Sequence, residues 1–285
     1  MMAPPRLNAH RFRAFGGAVC EVLAAGCDLD EVSAAVADVY AFEARLTRFD
    51  QRSELSQFNA AAGETVAVSP LLEALLRAAL DAHALTGGLV NAAVLHAVAA
   101  AGYDVTIERV RARGAMTSPA ADAAPLPPLP ELLEVRPGGA RIAPGWGIDL
   151  GGVAKGWLAD RLCERLGDAA VNLGGDLRAI GDGPEGDGWT VALCDGSTVV
   201  VHDAGVATSG TTSRRWPGGH HLIDPRTGRC APTSVAAVTV VAATAFDAEC
   251  LAKGALLAGA ADARSWAQAH GAERVAMLLP SEGTR

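Results

Sequence analysis

The chain has 285 residues, half of them hydrophobic and 5% aromatic, which is enough apolar material for a substantial core. Its formal net charge of −8 excludes a broad basic surface of the kind that binds nucleic acid. No apolar run approaches the roughly 18 residues that a membrane-spanning helix needs. The opening MMAPPRLNAHRFRAFGG carries arginines with no apolar leader core behind them, so a cytoplasmic protein is the expectation.

In chain order, DLDEVSAAVADVYAFEARLTRF (28–49) sets Val32, Val36, Val39 and Leu46 at helical spacing, with Asp28 or Asp30 as N-cap. FDQRSELSQFNA follows as a polar loop. Residues 69–88 open with Ser69 as cap and Pro70 in the first turn and close at Gly87-Gly88, a second helix. The alanine- and proline-rich stretch 112–130 reads as a surface insertion in what is otherwise one domain over 1–285. GWGIDL looks strand-like up to Asp149. From Val153 a helix turns Trp157, Leu158, Leu162 and Leu166 toward a core and ends at Gly167.

AAVNLGG is a buried strand, and WTVALCDGSTVVVHD a hairpin about Asp195-Gly196. GVATSGTTSRRW reads as a hydroxyl-rich, hydrogen-bonding loop. VAAVTVVAAT (235–244) is a strand that runs into a helix, AFDAECLAKGALLAG; the helix of ADARSWAQAHG and the strand of ERVAMLLP end the pattern. Helices interleaved with antiparallel hairpins indicate the α+β class. The six cysteines are scattered without a C-x-x-C pair and read as small buried hydrophobes.

Lysine usage is unusual. Of 24 basic residues only two are lysine, Lys155 and Lys253, each within Ala-Lys-Gly. A compact ammonium does what a broad guanidinium fork cannot. In DLGGVAKG, Gly151 and Gly152 precede a helix N-terminus, where free N–H groups attract anions, and Lys155 adds a full charge. A phosphate-sized anion above the two glycines is one reading; glycines that ease helix packing, beside an exposed lysine, are the other. His220-His221 offers a base near neutral pH or a structural histidine.

Taken in order, SELSQFN, DLGGVAKG, VNLGGDL, ATSG, HHLIDPRTG and AECLAKGALLAG resemble the ApbE family of FAD:protein FMN transferases, from about Phe15 to Gly259. The resemblance implies an ApbE-like, T-fold-related mixed sheet with packed helices. It implies FAD as substrate, magnesium as the metal, and transfer of FMN to a threonine or serine hydroxyl of a partner flavoprotein with release of AMP. A flavin-binding or carrier protein, or an FAD pyrophosphatase giving FMN and AMP, are the alternatives.

Carried over residue by residue, Asp149 and Lys155 touch FAD, Phe49 packs on the flavin, and Thr208 and Ser209 line the flavin or ribityl chain. Leu222 and Asp224 lie beside the cofactor, and His221 deprotonates the acceptor hydroxyl. Asn91 stands where the family has an acidic FAD contact, and the Gly152 carbonyl is a metal ligand. The family's A-D-A-L-A-T ligand frame reads AECLAK, so Glu249 and Lys253 stand where a carboxylate and a hydroxyl hold the metal. Lysine is no ligand for a hard dication. Either Lys253 replaces the metal, steadied by Glu249 and sharing the phosphate charge with Lys155, or the chain binds flavin without transferring it. The first reading is favoured, and the third, a surface Glu–Lys pair, is weakened by the scarcity of lysine in the chain.

Overall fold

The N-terminal segment, which shows no strand signal in the sequence, forms a hairpin. Leu7–Ala14 (β1) and Ala18–Ala25 (β2) pair antiparallel across a turn at Phe15 to Gly17. The computed structural model describes residues 6–113, 123–232 and 234–280. β2 continues onto Ala169–Leu173 (β3), and then come Asp176–Ile180 (β4), Ala204–Gly210 (β5), Ala237–Ala242 (β6) and Arg274–Leu278 (β7). Every neighbouring pair is antiparallel and the order across the sheet is the order along the chain.

Strand periodicity of two sorts the side chains by face. Val22, Val171 and Leu173 pack on one side with the helices. Ala170, Ala179, Val206 and Val241 pack on the other against the expected hairpin, whose strands are Trp189–Ala192 and Thr198–Val201.

Nine α-helices fill the connections among the described residues: α1 Leu29–Leu46, α2 Glu54–Ala60, α3 Pro70–Leu85, α4 Leu95–Ala100, α5 Ile107–Ala112, α6 Leu129–Leu132, α7 Ala154–Leu166, α8 Ala245–Ala258 and α9 Ala263–Ala269. The α+β class follows from this interleaving. α1 begins at a capping box: Asp28 accepts from the Asp30 and Glu31 amides while Glu31 reaches back to the Asp28 amide. Ser69 caps α3, with Pro70 at its first position. All six cysteines are free thiols.

Four local expectations change. SELSQFNA is helix α2 rather than loop, because Ser53 caps it and Leu55 and Phe58 supply a buried face. The ATSG segment is the second half of β5, paired along its length with β6, while Ala207 pairs with Asp176 of β4 and the Thr208 amide donates to the Gly175 carbonyl. The GWGIDL segment pairs in no strand; the Asp149 amide instead donates to the Ala92 carbonyl. Of the expected insertion, residues 114–122 lie outside the described residues. Its far end is core: Leu129 is fully buried and opens α6.

α7 and α8 cross at Gly156. A Cβ there would lie 2.4 Å from the Ala245 carbonyl oxygen, so no larger residue allows the approach. This crossing brings the two Ala-Lys-Gly segments together.

Candidate active site

A cleft of about 290 Å³ opens between the β1–β2 turn, the end of α1, the segment 149–155 and the His220-His221 segment. Eight of the residues singled out in the sequence line it: Phe49, Asn91, Asp149, Gly152, Lys155, His221, Leu222 and Lys253. The two lysines, nearly 100 positions apart, therefore face one space.

Each lysine is held differently. Lys155 sits between Asp176 and Glu249 with its side chain 12% exposed, and its ammonium lies 3.3 Å from Glu249 Oε1. Burial pulls its pKa down, and the Glu249 carboxylate opposes that pull. Two carboxylates more than balance its charge. The phosphate clamp expected from Lys155 is thus spoken for inside the protein. Glu249 Oε2 also accepts from the Gly156 amide at 2.9 Å, so the anion expected at this helix N-terminus is the protein's own carboxylate. Glu249 neither lines the cleft nor pairs with Lys253; it faces α7.

Lys253 donates from Nζ to the Gly152 carbonyl at 2.7 Å and makes no ion pair among the described residues. A Cβ on Gly152 would lie 2.2 Å from that ammonium, which explains the second glycine of DLGG better than an anion does. The magnesium expectation meets an obstacle here. The backbone oxygen that would ligate a dication already receives a cationic donor, and Glu249 is committed to Lys155 and Gly156. No cluster of three His, Cys, Asp or Glu side chains converges among the described residues. An ammonium repels a dication in its own shell, so these residues do not fit one.

His221 lies on the same wall. Burial, then the Arg214 and Lys253 charges, hold its pKa well below the ordinary 6.5, so the ring is neutral near pH 7. Its Nδ1 is buried without a hydrogen-bond partner among the described residues. His221 lines the cleft, and a neutral imidazole is chemically a base able to take a proton.

The aromatic end contains groups the sequence did not announce. Phe49 is 38% exposed, with its ring centroid 5.6 Å from that of Tyr103. Arg48 lies over both rings, at 4.3 and 4.6 Å, and pairs through Nε with Asp149 Oδ2 at 2.9 Å. Its Nη2 is buried and has no hydrogen-bond partner among the described residues. Arg214 lines the cleft, donating to the Phe15 carbonyl and pairing with no carboxylate among the described residues. Arg48 adjoins the aromatic of a quoted motif, and Arg214 lies within the quoted GVATSGTTSRRW, on the hairpin where its carbonyl accepts from the His221 amide; nothing in the local pattern marks either as a site residue.

The remaining expected contacts lie elsewhere. Thr208 and Ser209 are on β5 outside the cleft lining, and Thr208 Oγ1 hydrogen bonds Thr239 Oγ1 at 2.8 Å. Asp224 pairs with Arg226, which also donates to the Leu257 carbonyl and ties the turn to the end of α8. Asn91 lines the cleft but spends its side chain on backbone, donating to Pro127 and accepting from Ala93.

Known proteins share this fold. The ApbE family model matches residues 17–278. An FAD:protein FMN transferase of Vibrio cholerae is 27% identical over 75% of this chain and 69% of its own length. The corresponding Klebsiella pneumoniae protein is 32% identical over 37% of each chain, so that match spans well under half of that relative. Among solved structures, the apo flavinyl transferase ApbE of Pseudomonas stutzeri superposes with a TM-score of 0.80 at 19% identity, covering 98% of this chain and 95% of that one. The flavin transferase ApbE of Vibrio cholerae gives 0.75 at 22% identity over 98% and 95%. The sheet, the order of the motifs and the match over most of the sequence place this chain in the ApbE family.

Proposed function

We propose that this chain is an FAD:protein FMN transferase that moves FMN from FAD onto a threonine or serine hydroxyl of an acceptor flavoprotein and releases AMP. One observation carries the reading: a neutral, buried His221 shares a cleft with Lys253 and Arg214, two cations without carboxylate partners among the described residues, beside the Phe49–Tyr103 pair. The rings suit a flat isoalloxazine and the cations suit a diphosphate.

His221 takes the proton of the acceptor hydroxyl. The freed oxygen bonds to the FMN phosphorus while the bond from that phosphorus to the bridging oxygen breaks, and the electron pair leaves on the AMP phosphate. Arg214 and Lys253 stabilise the charge that develops on the phosphoryl oxygens. Arg48 holds Asp149 and presents its unpaired Nη2 to the ring end. FAD and the acceptor are the partners, and no described helix is long and apolar enough to cross a membrane.

The test is a balance sheet of products. Incubation with FAD and a candidate acceptor carrying an accessible threonine should give one AMP for each flavin retained on denatured acceptor, read by chromatography and intact mass. AMP with free FMN and no adduct indicates the pyrophosphatase instead. Tight FAD binding with no AMP indicates a carrier.

A further inference from the structure

The cleft contains an ammonium where the cation of a diphosphate-cleaving site is needed, and it is held as a fixture. Lys253 projects from the middle of α8 and ends 2.7 Å from the Gly152 carbonyl, with room made for it by the missing side chain of Gly152. Glu249, one turn earlier and placed by the sequence as its i,i+4 partner, is drawn away to Lys155 and to the Gly156 amide. Asp176 is drawn to Lys155 as well. The outcome is a division of labour between the two lysines of a chain that otherwise uses arginine. Lys155 neutralises the buried carboxylates, and Lys253 keeps its charge free toward the cleft. An ammonium has three donors, and the carbonyl takes one. Two remain for phosphoryl oxygens.

We propose that the Lys253 ammonium is the resident cation of the reaction, serving in place of a divalent metal ion. The inference rests on the transferase reading above. As the acceptor oxygen bonds to the FMN phosphorus and the bond to AMP breaks, negative charge gathers on the phosphoryl and leaving oxygens. Lys253 stabilises that charge while staying protonated throughout; the proton of the reaction goes to His221. Phosphoryl transfer depends mainly on positioning and charge stabilisation, so a fixed monovalent cation supported by Arg214 suffices. FAD cleavage here therefore needs no added metal.

The experiment measures AMP release and acceptor-bound flavin for the wild-type protein and Lys253→Ala, each with EDTA and each with added magnesium. Manganese binding to the protein alone is followed by electron paramagnetic resonance. The wild-type rate should change less than twofold between the EDTA and magnesium arms, with no manganese bound at millimolar concentration. Lys253→Ala, with an unchanged circular dichroism spectrum, should lose about 100-fold or more in kcat, as when a transition-state donor is removed. A wild-type rate abolished by EDTA and restored by magnesium overturns the inference while leaving the transferase reading intact. An unchanged rate in Lys253→Ala does the same. No AMP from wild-type protein in either arm overturns the transferase reading, and this inference with it.

Discussion

Asp160 and Glu249 reach across one helix crossing in opposite directions. Asp160 of α7 accepts from the Ala245 and Phe246 amides that open α8, at 2.8 and 3.0 Å, and Glu249 of α8 accepts from the Gly156 amide near the start of α7. Each helix N-terminus is thus neutralised by a carboxylate from the other. Each carboxylate also faces a cation, Arg178 at 3.6 Å from Asp160 and Lys155 at 3.3 Å from Glu249. Glu249→Gln keeps the shape and removes the charge, so it should lower stability by about 1–3 kcal/mol through the half-released Lys155. Thermal or denaturant unfolding of the variant measures this; an unchanged midpoint would show that Asp176 alone satisfies Lys155.

Gly156→Ala separates helix propensity from packing. Alanine is the better helix former by about 1 kcal/mol. Its Cβ would nonetheless sit 2.4 Å from the Ala245 carbonyl oxygen and 2.7 Å from its carbon, both backbone atoms that cannot rotate away. Overpacking of this kind costs about 1–3 kcal/mol and should win. The expected outcome is a lower melting temperature together with weaker FAD binding, since the crossing positions Lys253.

The pH profile should carry the signature of His221. Burial and the Arg214 and Lys253 charges lower its folded pKa below 6.5, whereas the unfolded chain keeps an ordinary histidine. The unfolded state therefore binds the proton more readily, and this residue's contribution to stability is lost as pH falls from about 6.5 toward the folded pKa. In kcat/KM, which reports the free enzyme, the acid limb should lie below pH 6.5. Lys253→Ala removes one of the repelling charges, so its residual activity should show that limb shifted upward. His221→Ala should abolish transfer while leaving FAD affinity within a few-fold.

Arg48→Ala should act on binding rather than on chemistry. The substitution removes a guanidinium over Phe49 and Tyr103 and leaves Asp149 without its 2.9 Å partner. FAD affinity should fall about tenfold or more, in line with losing a partly desolvated cation–π and ion-pair contact. Fluorescence titration of FAD quantifies it, and Arg48→Lys should restore little because an ammonium lacks the planar fork.

Much of the framework was legible because it is local. Asp28 and Ser69 cap their helices, Asp195-Gly196 turns its hairpin, and the leucines of α7 repeat with helical period. The β1–β2 hairpin escaped notice because His10, Arg11 and Arg13 interrupt its apolar alternation at a sheet edge. α2 escaped because its polar residues hide a two-residue apolar face. In the site, Phe49, Asp149, Lys155, His221 and Lys253 converge on the cleft while Thr208, Ser209, Asp224 and Glu249 do not, and which side chain meets which does not follow from spacing. Lys155 reads as phosphate-facing until Asp176 and Glu249 are seen around it. Tyr103 enters through its ring contact with Phe49, more than 50 positions away, and Arg214 through a short hairpin beside His221 whose pairing no sequence pattern marks.

The most direct measurement is a crystal structure of the protein with FAD, grown with a chelator present. The expected result is a diphosphate in the cleft with Lys253 Nζ about 2.7–3.2 Å from a phosphoryl oxygen, still bonded to the Gly152 carbonyl, and His221 on the FMN side. FAD bound away from Lys253, or a metal ion seated at the Gly152 carbonyl with the lysine displaced into solvent, would contradict it.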